Sequence, residues 1–384
     1  MTIIVFFIVL GVLVLAHELG HFITAKRNGV GAEEFGFGFP PRLIGTYKDK
    51  TGKRCWVFGN KKITEEIKHK EETIYSFNIL PLGGFVKITG ENGAETMADK
   101  QNESNFSNKS IWIRFKILIA GVTMNILLAV CLFSISFWIG LPEILDAQNT
   151  NPSIPVTITM VAPNSPADKA HLQAGDKIIN IKNKEKITKI ISIEQLQKII
   201  EREKGNEILF GVQHPKQKTL TYLKIIPRQN PPKGEGSTGI ALGKTKIIKH
   251  SIPEAIKLGV KTTYKMIVMI FVFLGKLIAS PFTKESVAGD VTGPIGIAKM
   301  SGQAAKLGLA FLMQFTAMLS VNLAVINILP FPGLDGGRIL FLIIEKFKGT
   351  PIKQKTESTI NTIGFLFLLG LMAIVVIKDI FRFW

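Results

Sequence analysis

Residues Ile3-Ile4-Val5-Phe6-Phe7-Ile8-Val9-Leu10-Gly11-Val12-Leu13-Val14-Leu15-Ala16-His17-Glu18-Leu19-Gly20-His21 form an apolar run that ends in two histidines flanking a glutamate. The run reads as a transmembrane helix, because with the residues that follow it reaches the roughly 20 needed to cross a bilayer. On that helix His17 and His21 lie four residues apart, so both imidazoles leave one face and can share a metal. Glu18 is turned about 100° away, within reach of a water that the metal would activate, as a general base. A surface helix with a chance His-Glu-x-x-His is the plain alternative. The apolar setting argues against it, since ionisable groups are costly to bury in hydrocarbon and mark function there.

The rest of the chain keeps to the same pattern. Of 384 residues 46% are hydrophobic, and they fall in long blocks separated by lysine-rich stretches that give a net charge of +18. The lysines are scattered, with no aromatic-interleaved basic patch or nucleic-acid motif, so they read as solvated surface and membrane-flanking charge, and no nucleic-acid partner is expected. Cys55 and Cys131 imply no disulfide framework. The N-terminal run has neither a basic leader nor a small-residue cleavage site, and it is kept as a span rather than a signal peptide.

The expected layout is a polytopic α-helical membrane protein with four transmembrane helices. The first span lies in 1–25, followed by a cytosolic segment in 26–112, a second span in 113–140 and an extracytoplasmic domain in 155–243. Amphipathic interfacial helices follow in 250–306, then a third span in 307–337, a cytosolic loop in 338–359 and a fourth span in 360–381. The apolar stretch 266–282 is shorter than the spans and carries Lys276 beside a preceding Lys265, so it is assigned to the interface. Lys26, Arg27 and Arg42 follow span one, Lys109, Arg114 and Lys116 precede or open span two, and Arg338, Lys346, Lys348, Lys353 and Lys355 separate spans three and four. Glu143 and Asp146 follow span two instead. The positive-inside rule then puts both termini and the 155–243 domain outside, with His17 nearer the cytosolic face.

A catalytic metal needs a third protein ligand. The end of span three reads Asn327-Ile328-Leu329-Pro330-Phe331-Pro332-Gly333-Leu334-Asp335-Gly336-Gly337. Its prolines cannot continue a helix and its glycines relax the backbone around Asp335. Irregular backbone at membrane depth is tolerated where it lines a cavity, a setting that suits a carboxylate ligand. A helix-ending loop with a solvated Asp335 is the alternative. The ligands can converge only if spans one and three are parallel, which requires that 266–282 not cross.

Taken together, His17–His21, the Asn327–Gly336 stretch and an intervening Ser165-Pro166-Ala167 … Ala174-Gly175-Asp176 segment resemble the site-2 protease family of intramembrane zinc metalloproteases. Pro81-Leu82-Gly83-Gly84-Phe85-Val86-Lys87 and Gly293-Pro294-Ile295-Gly296-Ile297 also match family motifs, and Ala120-Gly121-Val122-Thr123-Met124-Asn125 resembles a third, with Val122 in place of proline. The resemblance implies one zinc held by His17, His21 and Asp335, with Glu18 as catalytic base. It implies a substrate role for Asn327, for which capping of the broken helix is the alternative, and for Gly83 and Gly84 in a membrane-associated β-hairpin region that holds substrate extended. Asn125 is read as an interhelical hydrogen bonder. The 155–243 domain resembles a PDZ-like α+β domain, with His171 in place of glycine and a surface role for that histidine. The polar tract 91–108 reads as a mobile loop.

The function implied is regulated intramembrane proteolysis in a bacterial inner membrane. Its substrates would be single-pass membrane proteins or peptides, such as anti-sigma factors or signal-peptide remnants, and its partners the lipid bilayer and no second subunit, a monomer. A catalytically silent membrane PDZ scaffold is the competing reading, and intact His17, Glu18, His21 and Asp335 weigh against it. A metal transporter would need polar residues along several spans, and spans two and four offer almost none.

Overall fold

The computed structural model describes residues 2–60, 72–91, 103–145, 154–183, 186–215, 219–232, 235–279 and 293–383. In chain order the elements are helix α1 (Thr2–Arg27), strands β1 (Ala32–Lys48), β2 (Arg54–Phe58) and β3 (Ile74–Ile88), a 3-10 turn (Phe106–Asn108) and helix α2 (Ile111–Ile139). Next come β4 (Leu141–Leu145), β5 (Val156–Val161), α3 (Pro166–Lys169), β6 (Lys177–Asn183), β7 (Lys186–Lys189), α4 (Ile193–Arg202), β8 (Ile208–Gln213), β9 (Thr221–Ile225) and β10 (Ile240–Ile248). Helices α5 (Ile252–Ala279), α6 (Pro294–Leu307), α7 (Leu309–Ile328), α8 (Asp335–Lys348) and α9 (Gln354–Phe383) complete the chain. One compact unit combines Met1–Ser136 with Ser251–Trp384, and the other is Phe137–His250.

In the first unit the helices alternate in direction. The end of α1 packs on the start of α2, where a side chain at Gly20 would meet the Ala120 carbonyl oxygen at 2.4 Å. Ser320 Oγ of α7 donates to the Asn125 carbonyl of α2 at 2.7 Å. Small residues at these crossings, among them Ala129, Ala317, Ser320 and Ala324, are buried and let the helix backbones approach closely. At the opposite end Gly302 of α6 lies against Thr2, and only Gly308 separates α6 from α7. Helices α1 and α7 therefore run parallel, as the ligand argument requires. Asp379, near the end of α9, accepts hydrogen bonds from Gly293 N (3.2 Å) and Gly296 N (3.0 Å), capping α6 at that same end. In the most apolar windows of α1, α2 and α7, 28, 44 and 39% of residues are buried, against 11% for α5 and 6% for α9. The first three form the inner bundle.

Among the described residues five helices, not four, are long and apolar enough to cross a membrane, the additional one spanning Ile252–Leu277. The apolar stretch that begins at 266 is thus the latter part of a longer helix, which lies inside the expected helical segment 250–306. Lysines at 257, 261 and 265 interrupt the hydropathy but share one helix face, so the helix runs unbroken from Ile252; residues 280–282 lie outside those described. The supposed loop 338–359 is also largely helical, because α8 continues to Lys348 and α9 starts at Gln354. In the tract 91–108, residues 92–102 lie outside the described set. Its end is not a loose loop, since Ser104, Asn105 and Phe106 are buried.

The segment after α1 folds into a sheet ordered β2-β1-β3. The first half of β1 lies between the two halves of β3, with Phe37 paired to both Gly84 and Phe77. The end of β3 joins the ends of α1 and the starts of α2 and α8 in one core, containing Ala25, Val30, Ile88, Phe106, Ile117, Leu118, Ile339 and Leu342. Large apolar residues stay exposed on this sheet, with Trp56 and Phe58 each 64% accessible.

The second unit is a seven-stranded sheet, ordered β4-β10-β5-β6-β8-β9 with β7 on β6. Its core includes Val156, Ile158, Ile178, Leu196, Phe210 and Val212. Ser165 and Ser192 cap α3 and α4, accepting from Asp168 N and Gln195 N.

Candidate metal centre

The site is built where the end of α1, the turn after α7 and the first residue of α8 meet. Pro330 and Pro332 end the helical path after Ile328, and the turn closes with Phe331 N donating to Leu329 O and Leu334 N to Phe331 O. Here the sequence reading needs adjustment. Gly336 and Gly337 do not loosen the backbone around Asp335; they start α8. Side chains at these positions would stand 2.2 Å from Leu329 O and 2.3 Å from Phe331 O, so the glycines let the new helix fold back onto the turn. That fold-back carries Asp335 to the histidines.

His17 and His21 stand edge to face, with ring centroids 4.8 Å apart. The two Nε2 atoms are 3.2 Å apart, and Asp335 Oδ2 lies 3.1 Å from His17 Nε2 and 3.4 Å from His21 Nε2. All three side chains are largely buried, with accessibilities of 9, 8 and 18%. Asp335 Oδ2 has no hydrogen-bond donor. Three electron-rich atoms gathered so closely, the carboxylate oxygen among them without a donor, need a cation between them. Ligand bonds of about 2.0–2.1 Å at tetrahedral angles separate ligand atoms by about 3.3 Å, the spacing seen here. The donor set fits zinc.

The histidines are oriented from behind. His21 Nδ1–H donates to the Ile117 carbonyl at 2.8 Å, leaving Nε2 with its lone pair toward the site. Asn125 meets His17 Nδ1 at 3.3 Å through its side-chain amide, whose Oδ1 is buried without a partner. With the amide turned so that Oδ1 accepts from His17 Nδ1–H, that oxygen gains a donor and Nε2 of His17 also faces the site. The interhelical hydrogen bond expected of Asn125 therefore ends on a metal-ligand candidate.

Sequence reasoning missed Gly121. A side chain there would lie 2.3 Å from His21 Nε2 and 2.7 Å from His17 Cε1, so the imidazoles occupy the space a larger residue would take. Its signal was present in the Ala120–Asn125 motif, but the neighbour it accommodates lies on another helix.

The other candidates fall around this cluster. Glu18, half-buried, shares the electrostatic surroundings of His21, His17, Asp335 and Glu91. Asn327 Nδ2 is 3.3 Å from His17 Nε2 and so joins the site. Gly83 and Gly84 are not beside the ligand atoms. They bring the backbone of β3 against α1 at Val14 and Leu15, where added side chains would meet Val14 Cβ at 2.5 Å and Leu15 Cδ1 at 3.1 Å. A cleft of about 360 Å³, lined by Leu15, Phe35, Phe37, Tyr75 and Phe77 among others, opens on that sheet. Beyond the ligands, Arg338, one turn after Asp335, pairs with Glu91 at the end of β3, and Arg114 of α2 pairs with Glu345 of α8 at 2.5 Å.

Fold and site together define a multi-pass membrane protein organised around a two-histidine, one-carboxylate metal centre with a glutamate alongside. The family model of peptidase family M50 matches residues 5–371. Among curated relatives, a protein of Clostridium acetobutylicum is 34% identical over 379 residues, covering 99% of this chain and 97% of its own. One from Clostridium perfringens is 34% identical over 370 residues, with 96% and 95% covered, and one from Nostoc sp. is 31% identical over 375, with 97% and 93% covered. Each bears the name "Putative zinc metalloprotease". The chain belongs to peptidase family M50, a family of zinc metalloproteases.

Proposed function

We propose that this chain is an intramembrane zinc endopeptidase of the site-2 protease type, cutting single-pass membrane proteins or membrane-retained peptides near the cytosolic face of a bacterial inner membrane. The observation that carries this reading is the convergence of His17, His21 and Asp335 between helices long and apolar enough to span a bilayer. Zinc held there supplies Lewis-acid polarisation of a peptide carbonyl and activation of water. Glu18 accepts the proton from the attacking water and passes it to the leaving amine. Asn327 donates from its side-chain amide to the substrate backbone beside His17. The close approach of β3 to α1 at Gly83 and Gly84 lets an unwound substrate lie along the sheet at the level of the ligands, as an added strand would. The exposed aromatic face of the sheet suits contact with the bilayer. The second unit, read as a PDZ-like domain outside the membrane, selects or tethers what reaches the site.

Cells carrying either the wild-type chain or Glu18→Gln test the reading by proteomics of membrane peptides. Fragments cut within transmembrane segments are expected with the wild type and intact precursors with Glu18→Gln, the change costing at least 100-fold in turnover while zinc stays bound. Cleavage at wild-type rates by Glu18→Gln, or zinc loss equal to that of His17→Ala, overturns the assignment of Glu18 as base.

A further inference from the structure

Helix α5 carries three chemically distinct faces in its first half. Ala255, Gly259 and Thr263, spaced by four residues, are buried. They seat the helix on α2, where a side chain at Gly259 would meet Ser134 Oγ at 2.2 Å and Val130 O at 2.9 Å. Two residues on, about 200° around the helix, Lys257, Lys261 and Lys265 point away from that contact, and all three are exposed. None of the three has an ion-pair partner among the described residues, and Glu254 is the only acid in the helix. Between these faces runs an exposed apolar row, Ile252, Ile256, Val260, Tyr264 and Val268. Residues 266–275 then carry no charge.

This arrangement sets the depth of α5. Were the helix to cross the bilayer from Ile252, Lys265 would face lipid about 20 Å into a hydrocarbon core about 30 Å thick. An unpaired lysine there is costly. With the first half of the helix at the interface, the apolar row meets acyl chains while the lysines, a quarter-turn away, meet headgroups. The contact with Val130 and Ser134 lies toward the end of α2 away from the metal centre. Three cations in a row with no acid among them complement a layer of phosphates.

We propose that Lys257, Lys261 and Lys265 form a binding surface for anionic phospholipid headgroups, holding α5 at the bilayer interface on the side away from the metal centre. The inference rests on the membrane fold and does not depend on the protease reading. It is tested with the full chain in bilayers of equal phosphatidylglycerol and phosphatidylcholine, using spin-labelled lipids of each type to measure which is retained at the protein surface. The wild type is expected to select phosphatidylglycerol several-fold, an effect weakened in high salt. The triple variant Lys257→Gln, Lys261→Gln, Lys265→Gln should lose most of that selection while keeping its zinc and thermal stability. The control triple Lys346→Gln, Lys348→Gln, Lys353→Gln, at the other end of the bundle, should keep it. Unchanged selection in the first triple, or loss confined to the control, overturns the proposal. So does selection absent from the wild type while an acidic peptide binds through the same lysines, which would make this a protein-docking face.

Discussion

A methyl group at position 121 would fall on the imidazole of His21, and that single contact ties the candidate metal centre to a helix that supplies none of its three candidate ligands. Gly121→Ala should therefore lower zinc affinity by about 10-fold or more without unfolding the bundle, as measured by competition with a chelator. Gly11→Ala on α1 is the matched control, because its added carbon would meet only the Phe37 ring at an ordinary 3.5 Å, and its zinc binding should be unchanged. Equal affinities for the two variants would show that the imidazoles do not sit where α2 places them. At this scale the sequence was most legible where chemistry and local geometry coincide. The i, i+4 spacing of His17 and His21 is a property of one helix and could be read directly. The backing of His17 by Asn125 and of His21 by the Ile117 carbonyl depends on how two helices cross, and nothing in a linear pattern specifies that.

Helix α8 shows how a candidate ligand can emerge from an incomplete reading of its element. Asp335 was identified from the prolines before it, yet the two glycines after it were taken as slack when they are contact residues at the start of a helix. Once α8 forms, Arg338 is carried one turn beyond Asp335 to its pair with Glu91, and the segment just after β3 is fastened to the helix that begins at Asp335. A double-mutant cycle of Arg338→Gln and Glu91→Gln should report a coupling of about 1–3 kcal/mol, read from unfolding of the detergent-solubilised protein. The single Arg338→Gln change should also speed hydrogen exchange in 84–90. Additive effects of the two changes would mean that the pair does not hold the sheet to α8. That the apolar stretch from 266 and the lysine-bearing turns before it form one continuous helix escaped for a related reason. Hydropathy averages around the helix, so lysines gathered on one face read as an interruption when they are a stripe.

The whole molecule is a helical bundle into which a β-rich unit has been inserted between α2 and α5. The insertion points lie together: a side chain at Gly140 would touch Lys249, and His250 N donates to Phe137 O at 3.3 Å. Excising 141–248 and joining the flanks should leave one zinc per chain by elemental analysis, with the set of cleaved membrane peptides altered. A folded but zinc-free product would show that the inserted unit is needed to assemble the site. The same insertion has a consequence for biosynthesis. About 300 residues separate His21 from Asp335, and at about 5–20 residues per second a ribosome needs roughly 15–60 s to add them. For that interval the first helix carries two imidazoles with no carboxylate to complete the set, so a nascent chain is inert while its inserted unit is being made. On the proposed reading, activity begins only once Asp335 has been added.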